Sequence, residues 1–173
     1  MKIPEKKETL DFLLQGNNKQ KWENSLSNEF GRLAQGNYNG VKHTNTIDFI
    51  HKFQIPALAK VTYASIVYNF RPLKDEKWRT RIVVGGDKLV YADDVSAPTS
   101  SILETKILLN SIISDADDGA KFMSCDLKDF FLATIMDSPE YMRIASKYLP
   151  DDIIKKYNLQ DKINNGFIYI KIK

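Results

Sequence analysis

Cysteine is almost missing from this chain: among 173 residues there is one, Cys125. A single thiol forms no internal disulfide and no cysteine-rich zinc site, so a reducing compartment is the expectation. Cys125 stands inside an apolar run and reads as a small core residue. The two histidines, His43 and His51, are far from it in sequence, so no nucleophile–base pair is in view. Long hydrophobic runs are missing as well. The opening Met1-Lys2-Ile3-Pro4-Glu5-Lys6-Lys7-Glu8 is not followed by an apolar region of signal-peptide length. No run approaches the roughly 18 residues of a membrane span. A soluble, cytoplasmic, non-secreted protein with no membrane partner is therefore expected. A dominant charge is also lacking: 25 Lys and Arg against 22 Asp and Glu leave +3, so any phosphate-binding surface must be local. There is no internal repeat and no low-complexity segment.

What is present is ordinary globular material, 43% hydrophobic and 27% charged, enough for one domain with a core. A short helical patch around Leu10, Phe12, Leu13 and Leu14 is broken by Gly16-Asn17-Asn18. Residues 20–34 place Trp22, Leu26, Phe30 and Leu33 at helical spacings of three and four. Residues 35–46 are polar and turn-rich and read as a linker. Residues 61–70 and 78–84 are rich in β-branched and aromatic residues and read as strands. With Gly85-Gly86-Asp87 as a turn and 88–91 as a third strand, they predict an antiparallel meander. Ser101 and Glu104 have capping-box spacing ahead of a helix over 102–113, whose broad apolar stripe includes Ile102, Leu109 and Ile113. A strand over 121–127, a turn near Asp137-Ser138-Pro139, a strand over 141–144, a helical excursion over 147–163 and a strand over 166–172 complete the pattern. The fold class this predicts is α+β. A chain ending on a strand, with no turn or cap after it, is expected to be a truncated fragment.

The stretch Lys121-Phe122-Met123-Ser124-Cys125-Asp126-Leu127-Lys128-Asp129-Phe130-Phe131-Leu132 carries the most chemistry. An apolar strand would deliver Asp126, and a second acid and two aromatics follow within five residues. In an alternating strand Met123, Cys125 and Leu127 would pack inward, while Phe122, Ser124 and Asp126 would face a cleft. A carboxylate so placed suits a divalent cation; a helix cap is the plain alternative for Asp126. Arg79 and Arg81, two apart on one strand, would share a face, and paired guanidinium groups suit a triphosphate. Solvated charges on an exposed sheet face are the plain alternative there. Tyr91-Ala92-Asp93-Asp94 runs straight into Val95-Ser96-Ala97-Pro98 and reads as a surface turn.

Six segments, in order, resemble the reverse transcriptase of Ty1/copia-type retrotransposon polyproteins. They are Trp22-Glu23-Asn24-Ser25-Leu26 through Glu29; Lys77-Trp78-Arg79-Thr80-Arg81-Ile82-Val83-Val84-Gly85-Gly86; and Ser96-Ala97-Pro98-Thr99. The others are Cys125-Asp126-Leu127-Lys128-Asp129-Phe130-Phe131-Leu132, Glu140-Tyr141-Met142, and Gly166-Phe167-Ile168-Tyr169-Ile170-Lys171. The resemblance implies a partial right-hand polymerase: an N-terminal extension (1–19), a fingers region with its preceding helix and linker (20–120), and the first half of a palm (121–173). It implies Mg2+ or Mn2+ as cofactor, with Asp126 and the backbone carbonyl of Leu127 as metal ligands. Asp129 and Phe130 would lie beside the incoming dNTP, and Phe131 would be the gate against a ribose 2′-OH. Arg79, with Arg81, would contact the triphosphate. Asp126 would be the catalytic carboxylate of two-metal nucleotidyl transfer on an RNA or DNA template-primer. The remainder of the Pol polyprotein would be a partner, in a cytoplasmic retrotransposon particle. Alone, residues 1–173 are expected to be inactive. Two rivals stand beside this: a non-catalytic nucleic-acid-binding remnant of a retroelement, and an unrelated α+β interaction domain.

Overall fold

The computed structural model describes residues 16–36, 38, 40–89, 99–127, 129–130, 132 and 134–173. Its contacts divide the chain into two compact units, residues 1–89 with 129–173, and residues 90–128.

The larger unit is built by one helix laid on one sheet. Helix α1 (Lys19–Leu33) buries Trp22, Leu26, Phe30 and Leu33, the spacing that predicted it, and Phe30 is 0% exposed. Five strands form the sheet: β1 (Ile47–Ile50), β2 (Val61–Phe70), β3 (Trp78–Val84), β4 (Glu140–Ala145) and β5 (Phe167–Ile172), in the order β1-β5-β4-β2-β3. All neighbours are antiparallel except β2 and β4, which pair in parallel through Val61–Tyr141, Thr62–Met142 and Tyr63–Arg143. Between β4 and β5 a short helix, α2 (Asp151–Lys156), drops Ile153 into the core. Asp152 fastens it to α1, accepting hydrogen bonds from Ser27 Oγ at 2.9 Å and from Tyr38 hydroxyl. The core joins Leu26 and Phe30 of α1 to Phe49, Met142, Ile144, Ile168 and Ile170 of the sheet. Trp22 extends this packing edge-on to Tyr68 and Trp78, with ring centroids 5.1 and 4.8 Å away.

The smaller unit contains α3 (Ile102–Ser114). Its capping box forms as the sequence predicts: Ser101 Oγ accepts from the Glu104 amide and Glu104 carboxylate accepts from the Ser101 amide. Its apolar residues, Ile102, Leu103, Ile107, Leu108 and Ile113 among them, are exposed.

The fold is therefore α+β, with four departures from expectation. Strand β1 was not foreseen. Instead of merely linking, residues 44–46 are tied to the end of α1, Thr44 and Thr46 amides donating to the carbonyls of Arg32 and Leu33. The third meander strand is absent where it can be seen: Gly86–Lys88 is a 3-10 turn and Leu89 lies in no strand. Residues 121–127 form no strand, and Phe122, Met123 and Leu127 are exposed. Their alternation has no ladder to express it: a strand exists only against a neighbour, and among the described residues none pairs with this segment. Cys125 is accordingly exposed, not a core residue. The Tyr91–Asp94 turn and Phe131 lie outside the described residues. No helix among the described residues is long and apolar enough to cross a membrane.

Gly31 separates propensity from packing. A Cβ there would stand 2.6 Å from Tyr38 Cβ and Cδ1. Alanine adds about 1 kcal/mol of helix propensity, while overpacking costs about 1–3 kcal/mol. Because Tyr38 is buried and tied to Asp152, packing should win: Gly31→Ala should lower the denaturation midpoint in a urea titration. A raised midpoint would show that Tyr38 moves aside freely.

Candidate functional site

The β2–β3 hairpin turns one face to α1 and the other outward. Thr80 is buried beneath the helix, and the residues flanking it, Arg79 and Arg81, project from the opposite face. The register places Arg79 across from Asn69 and Arg81 across from Val67. The pairing of the two arginines on one face is thus as the spacing predicted. A third arginine, unforeseen, joins them. The Arg71 amide donates to the Lys77 carbonyl at 2.7 Å, continuing the same register beyond the strands and setting Arg71 on the arginine face. The signal was available in the hairpin arithmetic once both strand limits were known.

The electrostatics of this face are unbalanced. Glu76 accepts from Arg79 at 2.6 Å and from Arg71 at 3.0 Å, so one carboxylate serves two guanidinium groups. The Nε atoms of both arginines are buried and make no hydrogen bond. Arg81 is exposed and has no ion pair among the described residues. Three arginines around one carboxylate, with Arg81 unpaired among the described residues, form a surface that attracts a multivalent anion; Asp87 stands at its far end, accepting from the Tyr63 hydroxyl at 2.7 Å. Tyr63 and Val67, also exposed, share this face. Gly85 closes its end. The Gly85 amide donates to the Tyr63 carbonyl at 2.8 Å, and an added Cβ would lie 2.6 Å from the Tyr63 ring; Gly86 has open space. Of the two glycines only the first is required by close approach.

The acidic segment divides between the two units. In the smaller, Asp126 and Leu127 are exposed in an irregular stretch, and Asp126 caps no α-helix among the described residues. In the larger, Asp129 adopts a left-handed backbone conformation (φ 58°) and accepts from Arg32 of α1 at 2.5 Å, while Phe130 is exposed. Burial by itself would lower the Arg32 pKa. Hydrogen bonding and charge from Glu29, and then Asp129, outweigh it and raise the value. Among the described residues no three His, Cys, Asp or Glu side chains gather into a metal-binding group. Asp126 and Leu127 thus do not complete a cation site by themselves.

A cleft of about 460 Å3 lies elsewhere, beside β1, lined by Phe49, Tyr157 and Lys162 among others. Its polar groups are already engaged: Lys162 Nζ donates to the Phe49 carbonyl at 2.6 Å, and Asp48 accepts from Gln35 and from Lys173. It contains none of the candidate residues. Comparison with protein-family models, with curated proteins and with solved structures finds no match.

If the arginine face binds anions through its surplus charge, removing the internal competitor should help. Glu76→Gln should tighten tripolyphosphate binding several-fold in low-salt calorimetry, and Arg81→Ala should weaken it about tenfold. Equal affinity in all three proteins would show that the anion binds elsewhere or not at all.

Proposed function

We propose that this chain is part of a copia-type RNA-directed DNA polymerase, contributing the triphosphate-binding face of the fingers and the first carboxylate of the palm. The observation that carries this is the surplus of guanidinium donors on the β2–β3 face. An incoming dNTP brings a chain of phosphate oxygens, and forked Arg donors match them in pairs. Arg79 would bind by exchanging its contact to Glu76 for a phosphate oxygen, and Arg81 would bind directly. Their charge would offset the negative charge that builds on the leaving pyrophosphate during nucleotidyl transfer. Asp126 would serve as one oxygen ligand for Mg2+ or Mn2+, the Leu127 carbonyl as another, and further carboxylates would come from elsewhere in the parent polyprotein. Cations held by Asp126 together with those further carboxylates would supply activation of the primer 3′-oxygen and neutralisation of the triphosphate. Phe130 and Phe131 would border the nucleotide sugar, with the template-primer alongside.

The exposed Val67 opposite Arg81, and Tyr63 at the Gly85 end with Lys88 over its ring, favour a second use of the same face. An aromatic ring among cations suits stacking on single-stranded nucleic acid without any chemistry, as in a non-catalytic remnant. Titration with a dNTP and, separately, with an oligoribonucleotide distinguishes the two, with the fluorescence of the Trp22–Trp78 pair as the signal. The polymerase reading predicts dNTP binding that Mg2+ tightens, that Asp126→Asn strips of its Mg2+ dependence, and that Arg79→Ala weakens about tenfold. Binding of the oligoribonucleotide alone, with steep salt dependence and indifference to Mg2+, would leave the remnant reading in its place.

A further inference from the structure

We infer that Arg32, on the last turn of α1, is a positioning residue that holds the Asp129–Leu132 turn, where the chain re-enters the sheet-containing unit after Asp126. The Arg32 side chain is 13% exposed and the Glu29 side chain 6%, so neither is presented to a ligand. Glu29 grips the guanidinium in a fork, accepting from Nε at 3.1 Å and from Nη2 at 2.7 Å. A fork fixes the plane of the guanidinium as well as its place, and it leaves Nη1 aimed at one point. At that point stands Asp129, 2.5 Å away.

Asp129 is the first residue of the larger unit after the chain returns from the smaller one. Its left-handed backbone is one that aspartate tolerates better than most non-glycine residues, and it turns the chain at this point. The Leu132 amide donates to the Asp129 carbonyl at 3.0 Å, closing a turn. Thr46 Oγ1 donates to the Leu132 carbonyl at 3.0 Å, and Leu132 packs on the core. The turn is therefore held at both ends, by a charge pair at Asp129 and by a hydroxyl at Leu132. Thr44 closes the circuit, its amide and hydroxyl both donating to the Arg32 carbonyl at 2.7 and 2.9 Å. Asp126 lies three residues upstream of this anchor, in a stretch with no ladder of its own. The order of the turn that follows it comes from Arg32 and Thr46. Arg32 thus acts through Asp129, and Asp129 is held by α1 before it meets any nucleotide. Calling the segment a site rests on the polymerase reading; the anchor itself does not.

Cys125, the only cysteine, adjoins Asp126 and is exposed, so a nitroxide can be attached there alone. The full chain is labelled as wild type, Arg32→Gln, Asp129→Asn, the double variant and Arg32→Lys. Label mobility is read by electron paramagnetic resonance, amide exchange by mass spectrometry, and dNTP affinity by titration. Asp129→Asn guards against Arg32→Gln failing to fold, since the latter strands Glu29. The anchor predicts a more mobile label and about tenfold faster exchange over residues 129–132 in both single variants. It predicts no further change in the double variant, partial recovery in Arg32→Lys, and weaker dNTP binding that follows label mobility. Unchanged mobility and exchange in both single variants, or effects that add in the double, would overturn it. So would altered mobility with dNTP affinity intact in a chain that binds dNTP. A wild-type chain that binds no dNTP would remove the polymerase reading, and the label and exchange data alone would then decide the anchor.

Discussion

The burial of one stripe of α1 against the sheet is the interaction on which everything else depends. Phe30 and Leu26 join Met142, Ile144 and Ile168 in one buried cluster, and among the described residues α1 meets the sheet most closely at β3. Losing a buried phenylalanine of this kind costs about 3–5 kcal/mol, a large share of what a domain of this size has to spare. The same packing decides which way the hairpin faces. With Thr80 and Ile82 committed inward beneath the helix, alternation leaves Arg79 and Arg81 no position but the outer face. The last turn of the same helix carries Glu29 and Arg32 to the Asp129 turn.

The two halves of the candidate chemistry are therefore built by different means. The arginine face is made by a strand pair and is rigid in the way a ladder is rigid. Its charge is uncompensated because one Glu76 serves both Arg71 and Arg79. The acidic segment has no ladder among the described residues, and side-chain bonds hold the Asp129–Leu132 turn that follows it.

Local chemistry was legible in the sequence wherever a short-range rule decided it. The limits of β2 and β3, the Ser101–Glu104 capping box and the stripe of α1 all follow from alternation, spacing or cap geometry, and the structure has them as read. What depended on distant partners was not legible. Ile47–Ile50 is a strand because β5 lies beside it, and four residues after a polar linker give no sign of that. The reverse error occurred at residues 121–127, where a strand-like pattern meets no neighbour and Cys125 is left in solvent. The parallel pairing of β2 with β4 joins residues about eighty positions apart and has no local signature. Arg32 escaped notice because a basic residue on the last turn of a helix is already explained by the helix dipole. Only its contacts with Glu29 and Asp129 reveal a second task.

The central claim is that the outer face of the β2–β3 hairpin receives a nucleotide triphosphate. Its most direct test is a crystal structure of the chain with an unreactive dNTP analogue. The account predicts phosphate oxygens at about 2.7–2.9 Å from the guanidinium groups of Arg79 and Arg81, with Arg79 turned at least partly from Glu76. A triphosphate seated elsewhere, with Arg79 still held by Glu76 and Arg81 in solvent, would contradict it.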